Sequence, residues 1–346
     1  LKWEETNSYN IGLDLALFDN RVELIADAYY KKTDNLLMQA SLPTYVSGLI
    51  GAPWVNAGAM TNKGVEFTLN TRNILTHDFT WTSGLTFSIN RNEVTKLYSE
   101  SSAISGINGN ETLTYTMVGE PVGQFYGYKV IGMFKEESDF YKKDADGNFQ
   151  LDEAGNRIRI AIPKGQQISK NGIWVGDYIY EDLHEDGVID EKDRTFLGNP
   201  APKFTFGFNN YFAYKGFDLN IFLNGSVGNK AVNLIRRTFT DPMRNSNLLK
   251  EATDIALIGM HDPEVGDEEL SNVYIVNADR AKVQRVTTSS ANDNNRISSR
   301  FIEDASYLRI KNISLGYTFP RKWLRHLQID NIRLYVNIQN LCTIRG

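Results

Sequence analysis

Segments that alternate apolar and polar residues recur along this chain, and the links between them are by turns very short and very long. Residues 81–90 show the pattern: Trp81, Leu85, Phe87 and Ile89 share one face, while Thr82, Gly84, Thr86, Ser88 and Asn90 share the other. A period of two places successive side chains on opposite sides of a β-strand. Bulky apolar groups on one side and small polar ones on the other suit a barrel wall with lipid outside and water inside.

The same alternation predicts eight strands, over residues 9–17, 22–33, 64–71, 79–94, 204–214, 217–227, 306–319 and 332–341. Most run to roughly ten residues, the length a tilted strand needs to cross a bilayer. Asp19-Asn20 and Lys215-Gly216 supply tight turns, since these residue types enter turn conformations cheaply. Pro320 ends the seventh strand because it cannot donate to a ladder. Long loops are expected at about 34–62, 96–202 and 229–304, with a helix near 245–260. Strict alternation of short and long links matches a membrane barrel with short periplasmic turns and long extracellular loops. The fold class expected is therefore all-β, part of a large antiparallel transmembrane barrel.

Composition narrows the alternatives. No apolar run is long enough for a spanning helix, but a barrel needs none. A net charge of -5 argues against a nucleic-acid binder, which usually carries a basic patch. The single cysteine, Cys342, can form no internal disulfide and reads as a small buried hydrophobe. His77, His184, His261 and His326 lie far apart and form no ligand spacing, and no nucleophile elbow, phosphate loop or dinucleotide fingerprint occurs. An enzyme is not expected.

Several segments resemble a known family. They are Leu1-Lys2-Trp3-Glu4, Asn10-Ile11-Gly12-Leu13-Asp14, Tyr29-Tyr30-Lys31-Lys32-Thr33-Asp34-Asn35-Leu36-Leu37 and Asn56-Ala57-Gly58-Ala59-Met60-Thr61-Asn62-Lys63-Gly64-Val65-Glu66. Asn90-Arg91-Asn92, Gly119-Glu120-Pro121-Val122-Gly123 and Tyr126-Gly127-Tyr128 follow, then Glu303-Asp304-Ala305-Ser306-Tyr307-Leu308-Arg309-Ile310-Lys311-Asn312-Ile313-Ser314-Leu315-Gly316-Tyr317. Together they resemble, in order and across nearly the whole chain, the C-terminal barrel of SusC/RagA-type TonB-dependent transporters. The resemblance implies an integral protein of the outer membrane of Bacteroidota that imports oligosaccharides or peptides. It also implies a SusD-like surface lipoprotein as lid and the TonB–ExbB–ExbD complex as energy source. The plug domain, the TonB box and the final strands of such a barrel are expected to lie outside these residues, since the chain opens on Leu1-Lys2-Trp3-Glu4 with neither start methionine nor export signal. Oligosaccharide is the substrate expected first and peptide second.

One motif carries metal chemistry. Residues 182–193 set acids at Asp182, Asp186, Asp190 and Asp193, with Gly187 at the sixth position and Ile189 at the eighth. That is the spacing of an EF-hand calcium loop, in which Val188 would offer its carbonyl and His184 stands where Asn or Asp is usual. The competing reading is an acidic turn capped by Asp side chains. Asp144-Ala145-Asp146-Gly147-Asn148 is a weaker echo and reads as a polar hairpin. Among loop aromatics, Tyr45, Trp54, Tyr115, Tyr126, Tyr128 and Trp174 are candidates for stacking on substrate, against packing within the loops. Tyr29, Tyr30, Tyr211, Phe212, Tyr214, Tyr317 and Phe319 suit interfacial girdles. Rival readings are a soluble or surface glycan-binding β-protein stiffened by Ca²⁺, a siderophore or vitamin receptor on the same barrel, and a glycoside hydrolase with converging carboxylates.

Overall fold

The computed structural model describes residues 1–39, 53–98, 103–109 and 111–346. One antiparallel sheet contains eight long strands in sequence order. They are β1 (Glu5–Leu17), β2 (Val22–Gln39), β3 (Trp54–Leu75), β4 (Phe79–Lys96), β5 (Phe204–Tyr214), β6 (Phe217–Val227), β7 (Tyr307–Thr318) and β8 (Arg333–Arg345). Each strand is bonded to its sequence neighbour, so the sheet is an up-and-down meander. Among the described residues β1 and β8 are not paired with each other.

The register carries the two-faced pattern across every strand. Leu15, Leu24, Leu69, Leu85, Phe208, Leu223 and Ile310 follow one another from β1 to β7 as directly paired residues on one face. Ile310 then pairs with Cys342 of β8. The opposite face carries Asp14, Asp27, Glu66, Asn70, Asn209 and Asn220, among others. Bulges or irregularities after Thr33, Leu36, Ala59, Arg72, Phe222 and Ile310 shift the pairing along the sheet. Such bulges insert an unmatched residue and increase local twist.

The tight turns form as their residue types allow. Phe18, Asp19 and Asn20 all take left-handed φ values of 58, 57 and 61°. Lys215 and Gly216 do the same at 45 and 92°, the geometry of a two-residue hairpin turn whose twist suits its strands.

Several expectations need correction. In the link expected at 34–62 the described residues are mostly ladder: β2 runs on to Gln39 and β3 begins at Trp54. The small residues of 56–60 look loop-like, yet Met60 pairs with Thr33 and Gly58 with Leu36. Ladder hydrogen bonds outweigh weak strand propensity here. No helix spans 245–260; a short 3-10 turn, Lys250–Asp254, precedes a strand, Ile258–Met260. Backbone bonds from Lys282 and Val283 to the Asp254 carbonyl hold that segment extended, an override of local propensity by tertiary pairing. A short helix forms instead at Leu234–Phe239, where the Asn233 side chain accepts from the Arg236 amide at 2.8 Å. Cys342 is exposed on the apolar face rather than buried. Tyr29 and Tyr211 lie on the polar face, opposite Gly64 and Thr82, because their strand parity sets them there.

Beyond the sheet, the described residues of 97–203 and 228–306 build further structure. The first builds a four-stranded sheet in the order Arg194–Gly198, Gln124–Tyr128, Glu111–Met117 and Ala103–Asn108. The two segments share one buried core: Phe134, Phe140, Ile173, Trp174, Val175 and Tyr178 from the first pack with Ala256, Val273 and Ile275 from the second. A folded cap therefore sits at the long-loop end of the strands.

Candidate functional site: a two-faced wall and its folded cap

At the turn end of the apolar face, aromatic rings gather in three contact groups. Trp81 stacks on Phe212 at 5.8 Å, and Phe79 meets Tyr214 edge-on at 6.5 Å. Phe217 meets Tyr317 at 4.5 Å, Tyr317 meets Phe319 at 5.1 Å, and Phe319 meets Trp323 at 6.4 Å. Rings with an apolar body and a polar tip gather where hydrocarbon gives way to headgroups. Phe212, Tyr214, Tyr317 and Phe319 are thus where a girdle needs them. Trp323 joins from the short helix Arg321–Leu324, which lies outside the predicted strands.

The polar face is laced by cross-strand pairs. The Arg333 Nε donates to Asp218 at 3.0 Å, and Arg309 Nε donates to Thr343 Oγ1 at 3.0 Å. The Tyr29 hydroxyl donates to Asn90 at 3.2 Å. A recess of about 370 Å³ lies over Glu23, Asn70, Arg72, Thr82, Gly84 and Asn209. Charged and amide groups at this density suit water and polar solute, not a dry core.

The cap is closed by a buried ion pair that spacing in the sequence did not disclose. Asp177 is 0% exposed and Arg285 5%. Arg285 Nε and Nη2 donate to the two Asp177 carboxylate oxygens at 3.0 and 3.1 Å. Every further polar atom of the pair is also matched. The amide of Trp174 and the side chain of Asn294 donate to Asp177 at 2.8 Å each. The Arg285 fork also reaches the Lys170 and Gly172 carbonyls at 2.9 Å. Bidentate pairing, with every nitrogen and oxygen of the pair hydrogen-bonded, is the condition under which a buried pair is tolerated. Around it, Arg296 lies over the rings of Tyr128 and Tyr180, and Arg300 over Tyr178, as cations pack on aromatic faces. Burial pushes the Tyr128 phenol up to about 12 and those of Tyr178 and Tyr180 higher still. All three stay neutral donors; the Tyr178 hydroxyl donates to the Lys282 carbonyl at 2.8 Å and that of Tyr180 to the Asp293 carbonyl at 3.1 Å.

The candidate stacking aromatics divide. Trp174 and Tyr128 are buried, at 2 and 9% exposure, so their faces are spent on the cap core and not open to a solute. Tyr115 and Tyr126 stack on each other at 4.5 Å and remain half-buried, with Arg194 over Tyr126. Trp54, at 54%, is exposed at the head of β3. Tyr45 lies outside the described residues.

In the acidic loop, Asp182 Oδ2 accepts from the Gly187 amide at 2.9 Å, and Asp186 accepts from the Val188 amide at 3.1 Å. Asp190 caps the turn Glu191–Asp193 through the Lys192 amide at 2.9 Å. Asp193 accepts from Leu183 and Asp190 at 2.9 and 2.8 Å, and His184 stands 3.7 Å from it. Among the described residues no three His, Cys, Asp or Glu side chains converge as a metal site. One observation fits a hard cation: Asp182 Oδ1 is buried with no hydrogen-bond partner, a costly state for a carboxylate oxygen. Asp144 and Asp152 each accept two backbone amides in matching turns, from Asp146 and Asn148 and from Ala154 and Asn156, which identifies those segments as capped hairpins.

Comparison with known proteins agrees with this architecture. Residues 1–341 match the family described as TonB dependent receptor-like, beta-barrel. TonB-dependent receptor P3 of Formosa agariphila is 34% identical over 347 residues, covering 99% of this chain and 30% of that protein. TonB-dependent receptor SusC of Bacteroides thetaiotaomicron is 25% identical over 342 residues, covering 98% and 28%. The chain therefore spans under a third of the length of these relatives. Among solved structures, the RagAB peptide transporter superposes with a TM-score of 0.72 at 22% identity, covering 100% of this chain and 32% of that one.

Proposed function

The chain belongs to the TonB dependent receptor-like β-barrel family, as a barrel portion of the SusC/RagA type, and from that premise we propose that it forms part of the wall and outer cap of a TonB-dependent importer in the outer membrane. The observation that carries this reading is the single eight-stranded sheet with one apolar and one polar face, ringed at its turn end by aromatics. In this reading the apolar face meets lipid, and further strands complete the barrel, because an open edge in hydrocarbon leaves backbone groups unpaired. The polar face lines the path, and the cap meets the substrate together with a SusD-like surface lipoprotein. Energy comes from the TonB–ExbB–ExbD complex. The substrate proposed is an oligosaccharide, with the exposed Trp54 and the Tyr115–Tyr126 stack available to sugar rings. A peptide is the alternative, and RagAB is described as a peptide transporter.

Purification of the full-length protein from detergent-solubilised outer membranes, followed by mass spectrometry, tests this. A SusD-like lipoprotein in stoichiometric amount is expected, and any co-purifying oligomer names the substrate. Recovery of the protein in the soluble fraction without such a partner would overturn the reading and favour the glycan-binding alternative.

Calcium in the loop 182–193 is proposed on the strength of the partnerless Asp182 oxygen. Asp182, Asp186, Asp190 and Asp193, with His184 and the Val188 carbonyl, would hold the ion, which would stiffen the cap. Limited proteolysis is expected to show protection by Ca²⁺ that chelator removes and that Asp186→Ala abolishes. Identical cleavage with Ca²⁺ and with chelator would leave the loop as an amide-capped turn.

A further inference from the structure

The lipid-side face of β1–β4 changes character abruptly toward the cap. Ile11, Ala28, Val65 and Ile89 form its last wholly apolar row. Two residues further along each strand, the next row on that face is Tyr9, Tyr30, Lys63 and Arg91. Lys63 and Arg91 are direct cross-strand partners, an arrangement in which like charges repel. Both are exposed, and among the described residues neither has a carboxylate within 4.0 Å (Lys32, one row up, pairs with Asp34 at 2.9 Å). Glu93, on the same face one row beyond Arg91, forms no ion pair with either among the described residues. Arg91 Nη1 donates to the carbonyls of Asn90 and Pro202 at 3.0 and 3.4 Å. Those bonds anchor one guanidinium nitrogen and leave Nε and Nη2 without a partner among the described residues.

Two cations thus stand on directly paired residues at the edge of an apolar wall, level with two phenols. A planar guanidinium fork beside a compact ammonium matches a phosphate group, which takes the fork bidentately and the ammonium as a point charge. The depth is that of headgroups, where Tyr also settles. An anion there would offset the repulsion that the pair otherwise carries. We propose that Lys63 and Arg91 form a binding site for the phosphate of an anionic lipid in the outer leaflet, so that this part of the wall holds an ordered lipid. The proposal rests on the outer-membrane reading above.

The test uses the full-length protein purified from outer membranes in mild detergent and titrated with diphosphorylated lipid A under native mass spectrometry. Phosphatidylcholine and inorganic phosphate serve as separate probes. Lipid A is expected to bind, phosphatidylcholine to bind less well, and excess inorganic phosphate not to displace the lipid. The double variant Lys63→Ala with Arg91→Ala should weaken lipid A binding roughly tenfold or more, since each basic residue near a charged surface contributes measurably. Lys63→Gln alone, which keeps the stem, should give a smaller loss and keeps the test open if the double variant does not insert. Unchanged lipid A affinity in a membrane-inserted variant would overturn the proposal and leave two snorkelling side chains. Ready displacement by inorganic phosphate would overturn it too, as a free-anion site. A wild-type protein missing from the outer-membrane fraction would instead overturn the transporter reading.

Discussion

Asp177→Ala is expected to open the cap while leaving the sheet intact. The carboxylate is fully buried, and four donors converge on it: two from Arg285, one from Asn294 and the amide of Trp174. Its removal leaves a guanidinium at 5% exposure with no counter-charge. Breaking a buried pair in this way costs about 3–5 kcal/mol, mostly the penalty of the stranded charge. Hydrogen exchange on the full-length protein is the measurement. Protection should fall around residues 170–180 and 283–285, where Arg285 also ties the Lys170 and Gly172 carbonyls, while amides of β4 and β5 should be unaffected. Replacing both partners with apolar residues, Asp177→Leu with Arg285→Met, should recover much of the loss, because no charge is then stranded. Equal exchange in wild type and Asp177→Ala would show that the hydrophobic core alone closes the cap.

The second large effect separates the two faces of the wall. Leu85 lies midway along β4 between Leu69 and Phe208, and its neighbour Thr86 lies between Thr68 and Gly207 on the opposite face. If the apolar face meets lipid, Leu85→Arg places a cation near the bilayer centre at a cost of about 2–4 kcal/mol. Thr86→Arg faces water and polar neighbours and should cost far less. Folding of the full-length barrel into vesicles, followed by denaturant titration, reads the difference. Equal losses at the two positions would contradict the assignment of the faces. A larger loss at Thr86 would reverse it.

The wall was legible in the sequence because its information is local. A period of two needs only neighbouring residues to declare itself, and Asp19-Asn20 and Lys215-Gly216 mark their turns by chemistry that acts within a few bonds. Strand ends were less legible. Residues 54–62 are small and loop-like, and only pairing with β2 shows them to be ladder. The girdle was legible in part: parity separates Tyr30 and Phe212 from Tyr29 and Tyr211 once the register is known. Aromatic identity was silent on role. Trp54 and Trp174 are the same residue type, yet one is exposed and the other fills the cap core. Acid spacing in residues 182–193 pointed to calcium, while the fold occupies most of those oxygens with backbone amides.

By itself the sequence determined that eight segments alternate, that one set of faces is apolar and the other polar, and that the links between them alternate in length. Each of these follows from short-range pattern and from the fixed geometry of a strand. The tertiary structure alone decided that two long loops condense into one cap. Asp177 and Arg285 stand 108 residues apart, and nothing near either residue in the chain specifies the other. Their meeting depends on the meander, which brings the ends of β4, β5, β6 and β7 together, and on a shared apolar core that removes both charges from water. In that dry setting an unpaired charge is too costly to persist, so burial selects the partner.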